Sequence, residues 1–265
     1  MSAAIRVFLR RLIPPKLRPT LKHIYYVHCL RFRYRCPFCK SYLRAFLPHG
    51  SKISVLRDHH VVGGGHRENA LCPVCGSLDR ERLLYLFLLW NTDLFDTPKT
   101  LLHVAPEPRV ANILAAQTHV DYLTADLHSK EVMLTMDITD IRLPDSSFDA
   151  IICNHVLEHV VDDRKAMSEL LRTLKPGGWA ILQVPLSLSL NHTYEDNSKM
   201  TPEAREEAFG QSDHVRIYAK DYEHRLAQAG FKVDIFRWIT SPDNFGGRRN
   251  MFGLNEQECV YFLRK

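Results

Sequence analysis

The 265-residue chain has no apolar run long enough to cross a membrane, and its first 57 residues contain no acidic residue. The longest apolar run, Leu83 to Trp90, is much shorter than the roughly 20 residues that a membrane-spanning helix needs. No export signal is visible, because Arg6, Arg10 and Arg11 interrupt the apolar residues near Met1. We therefore expect a cytoplasmic protein that is neither integral to a membrane nor a disulfide scaffold.

The missing acids make the charge of the chain uneven. Residues 1–57 hold 13 Lys and Arg, whereas the rest of the chain holds 22 basic and 30 acidic residues. Within residues 1–30, the apolar positions from Ile5 to Ile13 follow helical spacing, and the arginines lie off this stripe. A basic amphipathic segment of this kind predicts peripheral binding to an anionic membrane surface. The acidic remainder of the same chain is the alternative surface for it.

Four of the seven cysteines form two C-x-x-C pairs, Cys36 with Cys39 and Cys72 with Cys75. Each such turn directs both sulfurs to one point, and two turns complete a tetrahedral zinc site. Four thiolates close the coordination shell, so the metal is expected to hold structure. We therefore predict a zinc-ribbon-like module over residues 31–77. Disulfides and chance proximity of thiols are the alternatives, and the lack of an export signal argues against disulfides.

The other candidate ligands near these pairs have simpler explanations. Some histidines between the two pairs are able to replace a cysteine, although loop histidines are more often solvated: His59, His60 and His66. The remaining cysteines are expected to be ordinary buried or half-buried thiols: Cys29, Cys153 and Cys259.

From Thr100 onward, short apolar strands alternate with amphipathic helices, which is typical of a parallel α/β sheet. The predicted strands are Thr100–Val104, Val120–Ala125, Val132–Met136, Phe148–Cys153, Trp179–Val184, Lys232–Arg237 and Cys259–Leu263. The predicted helices are Asp79–Trp90, Arg109–Gln117, Arg164–Leu174 and Lys220–Ala229. Residues 78–265 are thus predicted to be one α/β domain, and the polar segment 186–216 an insertion or lid over the strand ends.

Polar residues follow the predicted strands at the edge where open α/β sheets bind ligands. Asp126 ends the second strand, where a carboxylate is able to hold the two hydroxyls of a ribose. Asp137 ends the third strand and is placed to accept from an adenine amino group. Asn154 and His155 end the fourth strand, and the motifs VLEHV and LKPGG follow them.

Together these residues resemble the class I S-adenosylmethionine-dependent methyltransferases, most closely the large bacterial group with VLEHV and LKPGG signatures. The resemblance extends over roughly residues 100–231. It implies a Rossmann-like, mostly parallel sheet of seven strands whose last strand is antiparallel. It also implies that S-adenosylmethionine binds along the strand ends, at the positions Ala105, Glu107, Asp126, Leu127, Asp137, Ile138 and Asn154.

The loop after the first strand departs from the family pattern, which has an acid followed by Gly-x-Gly-x-Gly. Residues 103–109 contain no glycine, and Pro106 and Pro108 each remove an N–H donor. Ala105 stands in the place of the first glycine, and Glu107 offers a carboxylate to the ammonium group of the cofactor. The alternative to an enzyme is therefore a non-catalytic binding or scaffold protein with a degenerate cofactor loop.

The leading interpretation is methyl transfer to an oxygen or nitrogen acceptor, which needs alignment and removal of a proton. His155 and His214 are the candidate bases, and Asp213, Arg216 and Tyr218 near the second of them suit an acceptor pocket. We expect the acceptor to be a small molecule, a saccharide or a lipid-linked intermediate. RNA is the runner-up, because a zinc ribbon before this domain also resembles the ribosomal RNA guanine methyltransferases.

A competing motif overlaps the end of the fourth strand. Residues 155–159 fit the H-x-x-E-H pattern of the inverted zinc proteases. That pattern needs both histidines in the interior of a helix, whereas His155 directly follows a predicted strand. We therefore expect Glu158 and His159 to make supporting contacts and not to form a protease centre.

Overall fold

The computed structural model describes residues 33–265. The predicted membrane-binding segment 1–30 and Cys29 lie outside these residues, so the predictions for them stay predictions. Within the described residues, no helix combines the length and the apolar character needed to span a bilayer.

The first part of the described chain is made of short antiparallel pairs. Its elements are β1 (Tyr34–Arg35), β2 (Tyr42–Leu43), β3 (Leu47–His49), α1 (Ser54–Asp58), β4 (Val61–Val62) and β5 (Arg67–Leu71). β1 pairs with β2, and β3 pairs with β5. The side chains of Tyr34, Leu43 and Phe46 form a small buried core with Cys36 and Cys72.

The two C-x-x-C segments end in the same type of turn. The Lys40 N–H donates to the Cys36 carbonyl at 3.0 Å, and the Gly76 N–H donates to the Cys72 carbonyl at 2.9 Å. Lys40 has a φ of 61° and Gly76 a φ of 77°. A left-handed residue therefore closes each turn, which explains the glycine after the last cysteine.

A buried arginine joins this first part to the rest of the protein. The helix α2 (Asp79–Asn91) follows directly, and its Arg82 is fully buried. The Arg82 guanidinium lies over the Phe46 ring and donates to the carbonyls of Asn69, Ala70, Ser77, Phe252 and Gly253. Burial removes the N–H groups of the guanidinium from water, and each carbonyl accepts from one of them. Losing any of these contacts would leave a buried, charged donor without a partner.

The rest of the described chain adds further strands and helices. The strands are β6 (Lys99–Val104), β7 (Val120–Asp126), β8 (Leu134–Thr135), β9 (Phe148–Asn154), β10 (Leu174–Gln183), β11 (Leu186–Ser187), β12 (Tyr194–Glu195), β13 (Arg216–Ile217), β14 (Lys232–Phe236) and β15 (Val260–Arg264). The helices are α3 (Pro108–Ala115), α4 (Asp163–Thr173), α5 (Pro202–Phe209) and α6 (Tyr222–Gln228).

Seven strands form one sheet in the order β14-β15-β10-β9-β6-β7-β8. The neighbours from β10 to β8 are parallel, and β15 is antiparallel to both β10 and β14. The seven-stranded, mostly parallel sheet with a reversed last strand is therefore confirmed. The order in which successive strands are added reverses between β6 and β9, and this reversal creates the crevice at which such sheets bind ligands.

Alternating side chains on the central strands build a core on each face of this sheet. Leu102 and Ile151 pack on the side of α4 and α6, whereas Leu101 and Ile152 pack on the side of α2 and α3. These side chains are fully buried. Each contributes about 1.5–3 kcal/mol to the stability of the fold by the removal of apolar surface from water, so these contacts hold the helices against the sheet.

Two strand predictions differ from the structure in extent. The predicted strand Val132–Met136 is reduced to Leu134–Thr135, because it lies at the sheet edge and pairs only with β7. β10 begins at Leu174 instead of Trp179, and its pairing with β9 shifts between these residues. Gly178 permits this shift, because a side chain there would meet the Asp149 carbonyl at 2.8 Å.

The segment 186–216 packs against the first part of the chain. β11 pairs with β4, and β12 pairs with β13. The side chains of Ala208 and Phe209 in α5 pack with Val55 and Val61. This segment and the cysteine-bearing part of the chain therefore lie together on the side of the sheet where β9 and β10 end.

Candidate functional site

The loop after β6 adopts a glycine-like conformation without a glycine. Ala105 has a φ of 46°, in the left-handed region, and its N–H donates to the Ala125 carbonyl at 2.8 Å. A non-glycine residue in this region costs about 1–2 kcal/mol, which the surrounding packing must offset. Ala105 thus takes the backbone conformation that the expected glycine would supply.

Glu107 turns inward and links the ends of β6 and β9. One carboxylate oxygen accepts from the ring of His103 at 2.8 Å, and the other accepts from the Asn154 amide at 3.1 Å. The second ring nitrogen of His103 contacts the Tyr122 hydroxyl at 2.9 Å. Burial alone would raise the pKa of Glu107, but the bonds from His103 and Asn154 outweigh it and lower that pKa. The loop is therefore held by an anionic buried network.

Asp126 ends β7, and Asp137 follows two residues after β8, each in a similar turn. Asp126 accepts from the backbone N–H groups of His128 and Ser129 at 2.7 Å each, through Oδ1 alone. Asp137 accepts from the N–H and the hydroxyl of Thr139 at 2.8 Å, again through Oδ1. The second carboxylate oxygen of each is left for a ligand. Next to them, Leu127 is 49% exposed and Ile138 is buried.

Asn154 and His155 end β9, but their surroundings differ. Asn154 is buried, and its amide oxygen also accepts from the Gln183 N–H at 3.2 Å. His155 has a φ of 55°, and its Nδ1 lies 3.5 Å from Glu158 Oε1. Residues 157–159 form a single turn of 3-10 helix. The H-x-x-E-H residues therefore do not lie on one helix, as expected from the strand that precedes them.

A cavity of about 510 Å³ lies beside His155. Its walls come from the first part of the chain and from the segment 186–216 as well as from the sheet edge. Its lining includes glycine and polar residues: Gly63, Gly64, Gly65, Arg67, Arg80, His155, Glu158, His159 and His214. The triple glycine therefore forms part of the cavity wall.

Burial dominates the titration of the groups in this cavity. It lowers the pKa of His155 well below its usual value and lowers that of His214 to about 4. It raises the pKa of Glu158 to about 8. At neutral pH both imidazoles are therefore uncharged.

Two residues that the sequence suggested for an acceptor pocket are engaged elsewhere. The Arg216 guanidinium donates to Glu195 and to the carbonyls of Leu157, Val160 and Val161. The Tyr218 hydroxyl donates to Asp163 at 2.7 Å. These buried side chains hold the turn after β9 in place, so the interpretation of Arg216 as a ligand-binding residue is wrong.

Arg80 lines the cavity, and the sequence analysis missed it. Its Nη1 donates to the Gly63 carbonyl at 3.3 Å, and its Nε is buried without a hydrogen-bond partner among residues 33–265. Arg80 and His155 also line a small pocket with Glu107 and Asn154. The only sequence signal was a basic residue at the start of a helix, which normally indicates a solvated position.

The four paired cysteines converge within the described part of the chain. Their sulfurs lie within 4.8 Å of one another. Cys36 Sγ and Cys75 Sγ are 3.6 Å apart, and Cys39 Sγ and Cys72 Sγ are 3.8 Å apart. A disulfide needs a separation of about 2.05 Å, so all four remain thiols. The described histidines between the pairs do not join this cluster.

Glu258, just before β15, is a buried carboxyl close to three charged side chains. Burial raises the pKa of Glu258 to about 7, with a further rise from Asp79 and an opposing effect from Arg67 and Arg80. Its Oε2 is buried and has no hydrogen-bond partner within residues 33–265. The carboxyl therefore keeps its proton in the folded protein under conditions in which the unfolded chain loses it.

Replacing Glu258 by Gln is expected to change the pH dependence of stability. Between about pH 4.5 and 7 the folded state binds more protons at this site, so its contribution to unfolding free energy falls as pH rises. The fall amounts to on the order of 3 kcal/mol, and Glu258→Gln removes it. Denaturant melts of both proteins across this range measure the difference, and parallel profiles would contradict the assignment.

Comparison with known proteins finds similarity to methyltransferases in part of the chain. Residues 99–182 match the family model described as a methyltransferase domain. A demethylmenaquinone methyltransferase of Clavibacter sepedonicus is 48% identical over 46 residues, which is 17% of this chain and 19% of that protein. An uncharacterized 37.1 kDa protein of transposon TN4556 from Streptomyces fradiae is 36% identical over 96 residues, 35% of this chain and 28% of that protein. The chain thus matches less than a third of either relative.

Three examples of solved structures with a similar fold have low sequence identity to this chain. The [4+2]-cyclase SpnF is 15% identical with a TM-score of 0.47, over 72% of this chain and 84% of that one. The 1,6-didemethyltoxoflavin-N1-methyltransferase of Burkholderia thailandensis is 15% identical with a TM-score of 0.45, over 71% and 77%. An S-adenosylmethionine-dependent methyltransferase of Archaeoglobus fulgidus is 12% identical with a TM-score of 0.44, over 71% and 95%. Residues 99–182 therefore match the model of a methyltransferase domain, and their strands lie in a mostly parallel, Rossmann-like sheet.

Proposed function

We propose that this protein is an S-adenosylmethionine-dependent methyltransferase that methylates an oxygen or nitrogen of a small molecule. The observation that carries the proposal is the row of ligand positions along one sheet edge. There Asp126 and Asp137 each use one carboxylate oxygen for a turn and leave the other unpaired within residues 33–265. The matched methyltransferase domain covers the same strands.

The residues at this edge fit the cofactor. The unpaired oxygen of Asp126 is an acceptor for ribose hydroxyls, and that of Asp137 is an acceptor for an adenine amino group. Leu127 offers an exposed apolar surface beside them, while Ile138 and Asn154 support the edge from within. The left-handed Ala105 opens the first loop, and Glu107, whose two oxygens accept from His103 and Asn154, holds that loop from within. When bound, the cofactor supplies a methyl group on a sulfonium, which an acceptor attacks.

The cavity beside His155 is proposed to hold the acceptor. A volume of about 510 Å³ lies within the 300–1,000 Å³ typical of small-molecule sites. Arg80, whose Nε is unpaired, provides a cation for a carboxylate or phosphate on the acceptor. A saccharide or lipid-linked head group that carries such an anion fits this description.

His155 is proposed to accept the proton of the acceptor. It directly follows β9 and lines both the acceptor cavity and the small pocket next to Glu107 and Asn154, so we expect the two ligands to meet beside it. The burial that lowers its pKa keeps the ring uncharged and able to accept. His214, the second candidate, lines the same cavity, and its Nε2 has no hydrogen-bond partner among the described residues.

The four-cysteine cluster is proposed to bind a structural zinc ion. Zinc–sulfur bonds of about 2.3 Å place tetrahedral sulfurs about 3.8 Å apart. The observed 3.6 and 3.8 Å separations and the matching turns at Lys40 and Gly76 support this geometry. With four thiolate ligands the ion would hold the zinc-ribbon-like module in shape. Through Gly63, Gly64 and Arg80 it would thereby also shape the acceptor cavity.

Asp126→Asn tests the cofactor site. The Asn side chain retains an oxygen for the turn at His128 and Ser129 but loses the charge of the second oxygen. We expect binding of S-adenosylhomocysteine to weaken by roughly 10- to 150-fold, the equivalent of about 1.5–3 kcal/mol for a charged acceptor. Isothermal titration calorimetry with purified protein measures the dissociation constant.

Asp121→Asn is the matched control, because exposed Asp121 lies on the same strand at the opposite end. It should bind as the parent does. If Asp126→Asn also binds unchanged, the assignment of the ribose site is wrong. If the parent itself binds neither S-adenosylhomocysteine nor S-adenosylmethionine, the methyltransferase proposal fails and a scaffold function replaces it.

A further inference from the structure

Beside the acceptor cavity, three side chains converge as metal ligands do. Glu158, His159 and His214 each offer a ligand atom, and these atoms lie within 4.8 Å of one another. The rings of His159 and His214 meet edge to face, with centroids 4.6 Å apart. Two come from the turn after β9 and the third comes from the segment 186–216, so only the folded chain assembles them.

Two atoms of this cluster are buried without a partner within residues 33–265. These atoms are Oε2 of Glu158, a side chain that is 2% exposed, and Nε2 of His214, which is 3% exposed. Leaving a buried polar atom unpaired costs about 1–3 kcal/mol, so a native structure normally supplies it with a partner. A cation placed between them would be that partner for both.

The other ring nitrogens of the two histidines are already engaged. His159 Nδ1 lies 3.1 Å from Asp213 Oδ2, and the backbone of Phe209 hydrogen-bonds to the His214 ring. Histidines that bind metals usually donate their second N–H to a carboxylate or a backbone carbonyl, which orients the ring. The arrangement leaves one nitrogen of each ring for the ion.

We propose that Glu158, His159 and His214 bind a divalent first-row transition metal, with zinc as the expected ion. Two histidines and one carboxylate are the ligands of many catalytic zinc sites, which keep a further position open. All three residues line the acceptor cavity, where a bound ion would be able to coordinate an acceptor oxygen and ease its deprotonation. This role rests on the proposed function, whereas metal binding itself does not. With the ion bound, His214 is a ligand, and His155 alone remains as the base.

Cobalt titration of the purified protein, with its cysteine site filled by zinc, tests the site without cofactor or acceptor. We expect one further equivalent of Co²⁺ to bind, with the weak visible bands of nitrogen and oxygen ligands and no thiolate charge-transfer band. His214→Ala and His159→Ala should each weaken this binding by at least about 100-fold, and Asp213→Asn by about 10- to 100-fold. Metal analysis of the protein as purified identifies the native ion.

His224→Ala is the control, because His224 is an exposed histidine of α6 outside the cluster. It should bind cobalt as the parent does, and circular dichroism should show all variants folded. No additional equivalent in the parent, or full binding by folded His214→Ala and His159→Ala, would overturn the proposal and leave the unpaired atoms to water. Either outcome would leave the cofactor titration, and with it the methyltransferase proposal, unaffected.

Discussion

Cys72→Ser is expected to abolish zinc binding at the proposed four-thiolate site and to unfold the region around it. Structural zinc contributes on the order of 10–16 kcal/mol in small zinc-dependent modules, far more than the few buried apolar side chains of this region supply. Residues 33–77 should therefore lose hydrogen-exchange protection. Because Gly63 and Gly64 lie in this region, the acceptor cavity should open as well. Mass spectrometry under native conditions measures the zinc, and hydrogen exchange measures the protection.

Cys259→Ser provides the comparison, since Cys259 is a buried thiol outside the cluster. It should retain the zinc and the protection of residues 33–77. The separate sheet is expected to remain folded in Cys72→Ser, because its two cores lie on the strands and on the helices that cover them. Zinc retention by Cys72→Ser, or a fresh, reduced parent protein without zinc, would refute the structural zinc site.

His155→Asn is expected to lower the rate of methyl transfer by about 10²–10⁴ while leaving cofactor affinity nearly unchanged. Asn is chosen because His155 has a φ of 55°, and Asn tolerates the left-handed region better than Ala. The variant therefore removes the imidazole without adding backbone strain. Single-turnover rates with methyl-labelled S-adenosylmethionine, and an acceptor selected from anionic alcohols and amines, measure the effect.

His60→Asn is the matched control, because His60 is an exposed histidine with a φ of 48° that does not line the acceptor cavity. It should transfer methyl groups at the parental rate. An unchanged rate in His155→Asn would show that the protein acts by alignment and through other groups. A fall in rate explained entirely by weaker cofactor binding would assign His155 to the cofactor site instead.

Much of the fold was predictable because short-range patterns of apolar and capping residues determine which segments form strands and helices of the core. A strand buried on both faces needs a run such as Phe148–Asn154, and a helix such as Asp163–Thr173 needs an apolar stripe and a cap. Asp162 accepts from the Lys165 N–H as that cap requires. The edge strand Leu134–Thr135 is shorter than predicted, since a single pairing partner determines its length.

The strand-end carboxylates were also predictable, because the ends of parallel strands must meet at one edge. The direction of each of these side chains was not predictable from the sequence. Asn154 and Glu107 turn toward each other inside the protein, whereas Asp126 and Asp137 each leave one oxygen unpaired. Side-chain direction depends on partners that are distant in sequence, here across 47 residues for Asn154 and Glu107.

By itself, the sequence determined the order of strands and helices, the pairing of cysteines into two turns and the acids that end β7 and β8. Periodicity and short-range spacing encode these features, and they do not depend on distant contacts. Only the tertiary structure decided that Arg80 and the triple glycine line the same cavity as His155, and that His214 meets Glu158 and His159. It also assigned Arg216 to internal carbonyls. These are contacts between segments far apart in the chain, and their geometry exists only once the sheet, the cysteine-bearing region and the segment 186–216 have packed together.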